Sequence, residues 1–361
     1  IKNLDKFIFQ EKYRVTNVER LFQLSSPKLD RYYKIEFSNH KLANEFLTEL
    51  EKSTFIISAE NVPLFGDLAT PNDYQSSKQW GIEKINAFKA WNLTKGGEDI
   101  VVAVVDDAID INHEDLSPNI WTNPNEIPNN GIDDDANGYV DDVHGYDVAD
   151  DDNDPTPPSA TVSQSNFSHG THCAGIVSAA TNNSKGVASI GYSTKIMAVK
   201  TKLSATSGGS LSHTFYGVQY AIAAGADVIS MSFGSYYRSN SMEALCNYGR
   251  EQGIVLVGAA GNSNTDSPMF PGSYESVINV GASDQNDKRA YFSNYGQTID
   301  VMAPGVSIYS TIGGGKGDLY SYMSGTSMAC PMVSGLVGLM LSVNKNMSPE
   351  EVKTCLTHNA D

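Results

Sequence analysis

The chain has 361 residues, 40% of them apolar, with 31 glycines and a formal net charge of −17. This composition describes a globular, turn-rich protein with room for one large domain and a small one, not a disordered or fibrous chain. With 42 acidic against 25 basic residues, it lacks the basic face a nucleic-acid partner needs, and no uninterrupted apolar run approaches the ~18 residues of a membrane span.

Residues 1–65 contain no glycine; all 31 follow them. The first stretch is also nearly neutral, so the acidity belongs to the remainder. A boundary follows within "GDLATPNDYQS" (66–76), which has turn and linker chemistry. Before it, "RYYKIEF" alternates like a strand, "NHKLANEFLTELEKS" puts Leu42, Phe46, Leu47 and Leu50 on one helical face, and "TFIISAENV" reads as a closing strand. Residues 1–70 are thus a small α+β unit, and 71–361 form the main domain.

Beyond the boundary, "IVVAVVD" (100–106), "KIMAVK" (195–200), "DVISMSF" (227–233), "GIVLVGAAGN" (253–262) and "SVINVGA" (276–282) are strand candidates. Between them, "LSHTFYGVQYAIAAG" and "SMEALCNYGREQG" read as amphipathic helices stopped by glycine. Apolar strands interleaved with helices predict an α/β fold with a mainly parallel sheet covered on both faces. Ligands then bind beyond the carboxyl ends of the strands.

Three strand ends carry polar or small residues there: Asp106, the Ser232–Phe233–Gly234 rim, and Asn262. "FSHGTHCAGIVSAA" (167–180) reads as a buried helix with His169 at its N-terminal lip. A lone histidine is commonly structural, and a pair such as His169 and His172 can ligate a metal, yet no HExxH is present and no third ligand is evident. "MSGTSMACPMVSGL" (323–336) sets three serines among small residues, the composition of a tightly packed helix and also of a nucleophile segment. The four cysteines have no zinc-like spacing; Cys173 and Cys330 sit among small apolar residues and read as buried thiols.

Between residues 133 and 154 stand ten aspartates and no lysine or arginine. Asp133, Asp135, Asn137 and Gly138 fall at positions 1, 3, 5 and 6 of an EF-hand-like loop, with the Tyr139 carbonyl at 7 and Asp141 at 9. Position 12 is His144, so the loop is no true EF-hand, and Asp142 is the candidate for the missing carboxylate. Hard oxygen ligands point to calcium; the alternative is a solvated acidic loop.

"VAVVDDAIDINHEDL", "SHGTHCAGI", "AAGN" and "SGTSMACPMVSG" resemble, in that order, the four signature blocks of the subtilisin-like serine proteases (subtilases), over roughly residues 76–361. The resemblance implies a three-layer subtilisin-like fold. It also implies Asp106 as orienting acid, His169 as general base, Ser327 as nucleophile and Asn262 as oxyanion-hole side chain, with Asp107 and His172 structural. It places an extended peptide between Ser207–Gly208–Gly209 and Ser232–Phe233–Gly234. Ala259, Ala260 and Gly261 complete the pocket for the residue before the scissile bond, P1, which small walls make roomy and apolar.

It makes Phe270–Pro271 a candidate cis bond, and it favours structural calcium. Ala108 and Met332 depart from the usual glycine and histidine, which bears on local geometry and specificity. Residues 1 to about 70 are similar to the end of a subtilase propeptide, which implies an intramolecular inhibitor cleaved within 62–76; an accessory domain is the alternative. The chain stops in "SPEEVKTCLTHNAD", where relatives usually continue, so trimming and further domains are expected. The expected protein is a secreted, calcium-stabilised serine endopeptidase made as a zymogen and acting on polypeptides. An inactive scaffold and an esterase on the same triad are its rivals.

Overall fold

The computed structural model describes residues 13–22, 26–37, 40–50, 52, 54, 56–60, 70–158, 164–206, 208–313 and 319–360. The chain divides into two units, residues 1–67 and 68–361. In the first, β1 (Val15–Arg20) and β2 (Tyr33–Phe37) pair antiparallel and helix α1 (His40–Leu50) follows. Phe46 and Leu50, one helical turn apart, are buried with Tyr13, and Val15, Ile35, Phe37, Ile56 and Ala59 pack against them. The strand expected over "TFIISAENV" is not formed at residues 56–60. Ile56 and Ala59 reach the cluster at a spacing of three, which a strand of period two cannot provide, and Ile57 is exposed.

The large unit runs α2 (Trp80–Lys84), α3 (Ala87–Leu93), β3 (Val101–Asp106), β4 (Gly145–Asp147), α4 (His169–Ser178), β5 (Lys195–Lys200) and α5 (Thr214–Ala223). It continues β6 (Val228–Met231), α6 (Asn240–Glu251), β7 (Val255–Ala259), β8 (Val277–Ser283), β9 (Val301–Pro304), β10 (Ile308–Thr311), β11 (Tyr320–Met323), α7 (Thr326–Val343) and α8 (Pro349–Asn359). Seven strands form one sheet in the order β4-β5-β3-β6-β7-β8-β9, and every pairing is parallel. The five apolar runs are β3, β5, β6, β7 and β8. The edge strands β4 and β9 are too short to carry a readable period, and β10–β11 form a separate antiparallel pair.

Alternation along β3 shows why both faces are covered. Val102 and Val104 pack into the cluster that holds α4 and α7, whereas Val101, Ala103 and Val105 pack into the one that holds α5 and α6. A three-layer α/β/α domain results. α7 is, by length and composition alone, long and apolar enough to cross a bilayer; serine, threonine and glycine hide this from a search for uninterrupted runs. Here it is the core helix, buried against the sheet and α4. At Gly335 a side chain would lie 2.9 Å from Ile190 Cβ and 3.0 Å from the Val177 carbonyl, so the small residues of this segment do serve close packing.

Candidate active site

β3 delivers Asp106, 1% exposed, to the carboxyl edge of the sheet. Its Oδ1 accepts from the Asp107 amide (2.7 Å) and from His169 Nδ1 (2.8 Å). His169 is the first residue of α4, and Asp107 fixes that helix start: its carboxylate accepts from the amides of Ala108 (2.7 Å), Gly170 (2.8 Å) and His169 (3.3 Å). A carboxylate at a helix N-terminus also complements the helix dipole. Gly170 is required here, because a Cβ would fall 2.5 Å from the Ala108 carbonyl and 2.8 Å from Asp106 Cβ.

Burial by itself would lower the His169 pKa, but the Asp106 charge beside it wins and holds the imidazole well above its ordinary value. Asp107 is pushed up by burial and by the like charge of Asp106. His172, one turn along α4, is a different case: burial pushes it down to about 4. Its Nε2 faces the carbonyls of Ile308 (3.1 Å) and Ser321 (3.2 Å), so it ties α4 to the β10–β11 pair. Cys173 stands beneath His169, with Sγ 3.9 Å from Nδ1, and burial pushes its thiol up. All four cysteines are free, with Cys173, Cys246 and Cys330 buried and Cys355 exposed.

Ser327 is the second residue of α7. Pro331 has no N–H to give to the carbonyl four residues back, which is that of Ser327. This carbonyl accepts instead from Ser232 Oγ (2.8 Å) and Cys173 Sγ (3.4 Å), binding the start of α7 to the end of β6 and to α4. The Ser327 hydroxyl donates to the Ser232 carbonyl at 3.1 Å. Asn262 follows β7, and its Oδ1 accepts from the amide (2.8 Å) and hydroxyl (3.1 Å) of Thr326. That orientation turns Nδ2 away from Thr326 as a spare donor, beside the N-terminus of α7. Asp106 and His169 are in direct contact, the Ser327 hydroxyl is turned to the Ser232 carbonyl rather than to His169, and Cys173 Sγ lies near both His169 Nδ1 and the Ser327 carbonyl. Ala108 and Met332, the two departures, are both buried.

A cleft of about 740 Å³ opens beside this group and is lined by Asp106, His169, Gly208, Gly209, Ser232, Phe233 and Gly234. Gly208 and Gly209 are exposed with open space around them, whereas Ser207 lies outside the described residues. Ala259 and Ala260 are buried and, with Gly261, do not line this volume. The cleft continues to Met242, Phe270 and Tyr274; the sequence marked Phe270 only for its cis bond to Pro271 and none of the three as a cleft residue. The Phe270–Pro271 bond is cis.

In the acidic loop, carboxylate oxygens of Asp133, Asp135 and Glu126 lie within 4.8 Å of one another. Glu126 is 6% exposed; its Oε1 accepts from the amides of Asp134 (2.8 Å) and Asp135 (3.3 Å), and its buried Oε2 has no hydrogen-bond partner. The other expected ligands accept hydrogen bonds or pack nearby, and Asp133 and Asp135 likewise accept from the Asn137 and Gly138 amides and from Asn123 Nδ2. Asn137 Oδ1 accepts from the Tyr139 amide (2.9 Å), and both Asp141 oxygens accept from the amides of Asn130 and Gly131 (3.0 and 2.9 Å).

Buried Asp142 accepts from Asn123, Asn137 and the Tyr220 hydroxyl, and the Tyr139 ring packs on Tyr146 and Tyr220. Glu126 precedes the D-x-D-x-N-G pattern, and only the fold brings it in. A second carboxylate pair also escaped the sequence. Asp115 accepts from Asn183 Nδ2 (2.7 Å) and the Val187 amide (2.9 Å), Asp73 Oδ2 accepts from the Asn183 amide (2.9 Å), and Asp73 Oδ1 is buried without a partner. Burial pushes Asp115 up to about 6, with the Asp73 and Glu114 charges adding to it.

A parallel α/β sheet that presents an acid, a base and a hydroxyl from separate elements beside a cleft defines a serine hydrolase. Residues 97–361 match the Subtilase family, and the chain belongs to that family. It is 37% identical over 338 residues to the "Thermophilic serine proteinase" of Bacillus sp. (strain AK1), covering 93% of this chain and 75% of the relative. It is 35% identical over 302 residues to the "Halolysin-like extracellular serine protease Nep" of Natrialba magadii, covering 84% and 51%. Among solved structures, a protease from Pseudoalteromonas arctica PAMC 21717 superposes with a TM-score of 0.67 at 31% identity, over 81% of this chain and 93% of that one. The chain is a subtilisin-like serine protease.

Proposed function

We propose that this protease is a secreted serine endopeptidase in which Asp106, His169, Ser327 and Asn262 carry the reaction through an acyl-enzyme. The observation that carries the assignment is the 2.8 Å Asp106–His169 contact opposite a serine at the N-terminus of α7. Neutral His169 takes the Ser327 proton as the hydroxyl attacks the scissile carbonyl. Asp106 keeps Nδ1 protonated and stabilises the imidazolium that forms. The oxyanion takes Asn262 Nδ2 and the free amide at the start of α7. His169 then returns the proton to the leaving amine, and water repeats the cycle on the ester. An extended peptide adds as a strand between the 207–209 and 232–234 edges.

Calcium fits the loop at Glu126, Asp133 and Asp135, because the buried, unpartnered Glu126 Oε2 is an oxygen awaiting a cation. Asp73, Asp115 and Asn183 offer a second oxygen set of the same kind. A bound calcium supplies positive charge that lets these carboxylates stay ionised where they are buried, and it takes no part in peptide cleavage. Residues 1–70 act as an inhibitory propeptide released by cleavage within 62–76, and the extracellular name of the Natrialba relative supports secretion. The test is the intact mass of the chain, with calcium, before and after a fluorophosphonate. One adduct, absent in Ser327→Ala, is expected; an adduct that survives this substitution refutes the assignment.

A further inference from the structure

β5 runs past its last residue into Thr201 and Lys202, beside the proposed catalytic acid. Asp106 and Lys200 are register partners across β3 and β5, and the Thr201 amide and hydroxyl donate to the Asp106 carbonyl (2.9 and 2.8 Å). Lys202 therefore leaves the sheet at the same edge as Asp106, and the two line one cleft with Asp107, Asn166 and His169. Lys202 is nevertheless buried, only 1% exposed. Its ammonium stands 4.1 Å from the centre of the Phe167 ring and donates to the Asn166 carbonyl, both in the segment that leads into α4. Among the described residues that neutral carbonyl is its acceptor, where Lys200 has the carboxylates of Asp147 and Asp150. A buried ammonium is costly without negative charge nearby. Burial pulls its pKa down, and the Asp107 and Asp106 charges oppose this and hold the proton on it.

We propose that Lys202 is a positioning residue for the Asp106–His169 pair: its buried ammonium balances the Asp106 and Asp107 carboxylates, so that His169 is free to take the Ser327 proton in a more acidic medium than two unbalanced negative charges would allow. The inference rests on the assignment of His169 as general base. The attraction is reciprocal. Carboxylates that hold a proton on Lys202 are partly offset by it, and an ammonium in the same cleft disfavours a second positive charge on the imidazole. The other groups around His169 leave the balance to these three. On α4, burial pushes His172 down to about 4 and the Cys173 thiol up, so both stay uncharged near neutral pH. β10 and α7, which pack on α4, carry no charged residue. On β5, Lys200 is paired with Asp147 and Asp150, and Lys195 with Glu98. A unit charge on the order of 10 Å from the imidazole, at the effective dielectric of a protein, moves its titration by about 0.5–1 pH unit.

The test follows the rate at which a fluorophosphonate labels the full chain in calcium, as a function of pH. This reads proton transfer from Ser327 to His169 and needs no peptide. Lys202→Met, which keeps the length and loses the charge, is expected to move the acid limb upward by about 0.5–1 pH unit. The sign follows from the charge: without the ammonium the imidazolium is favoured, so the free base is lost at a higher pH. Lys202→Arg, which keeps the charge, is expected to hold the limb at its wild-type pH. Where methionine at this buried position lowers the melting temperature too far to fold, Lys202→Gln repeats the neutral test. A limb that stays in place in a folded neutral variant overturns the proposal, and so does one that moves equally in Lys202→Arg. A wild-type chain that the probe labels at no pH refutes His169 and Ser327 as base and nucleophile, and this inference with them, an outcome distinct from a limb that fails to move.

Discussion

Asn262 makes two kinds of contact, and substituting it in two ways separates them. Its Oδ1 accepts from the amide and hydroxyl of Thr326, a residue that is fully buried; its Nδ2 is the donor assigned to the oxyanion. Asn262→Ala removes both. Loss of one oxyanion donor costs about 10²–10³ in kcat, roughly 2.7–4 kcal/mol, a range whose reference case is itself a subtilisin. Because that bond strengthens only as charge develops, KM should stay within about twofold. The stranded Thr326 amide adds a separate cost of about 1–3 kcal/mol, read as a lower melting temperature. Asn262→Asp keeps an acceptor for Thr326 but replaces the donor by a negative charge. It should therefore lose more kcat than the alanine variant and less stability. Steady-state kinetics on a peptide anilide and a thermal melt on each variant make the comparison. A less than 10-fold fall in kcat for Asn262→Ala, or a rise in KM alone, would refute the role of Nδ2.

Two further outcomes follow from the same geometry. His169 must be neutral to accept a proton, and the Asp106 charge raises its pKa above the ordinary 6.5; the acid limb of kcat/KM should therefore lie above pH 6.5, with activity lost as the pH falls through it. Asp106→Asn should cost about 10⁴ in kcat and move that limb to lower pH, and a limb that stays in place would show that Asp106 does not set it. Chelation should lower the melting temperature by about 3–5 °C, from roughly 2–3 kcal/mol of linkage at saturating calcium. Glu126→Gln should abolish the part of that increment due to the loop, and equal melting temperatures with and without chelator would remove calcium from the account.

The residues proposed as catalytic were legible because each ends, follows or begins an element that is itself legible. Asp106 closes an unbroken valine run, Asn262 follows the apolar run of β7, and His169 and Ser327 open helices made of small residues. Each is placed by its neighbours in the chain, so a one-dimensional reading reaches it. What escaped is what depends on distant pairs. Glu126 joins Asp133 and Asp135 only because the loop folds back and takes the amides of Asp134 and Asp135. Asp133, Asp141 and Asp142 look equivalent in sequence, but Asp142 alone of these accepts from the Tyr220 hydroxyl of α5, and it is fully buried there. The closing strand of the small unit failed for the opposite reason: its apolar residues promised a strand, but Ile56 and Ala59 reach the cluster at a turn's spacing.

The segment around Ser327 unites these two kinds of information. Its glycines, alanine and serines let α7 lie against α4 and the sheet, and that close approach brings Cys173 Sγ and Ser232 Oγ within reach of the Ser327 carbonyl. That carbonyl is open to them because residue 331 is proline and gives it no helical partner. The packing and the chemistry are therefore one requirement: a helix with an ordinary residue at 331 would reclaim the carbonyl, and a bulkier one at Gly335 would hold α7 off α4. In either case Ser327, the proposed nucleophile, would lose the two anchors that its carbonyl has in Ser232 and Cys173.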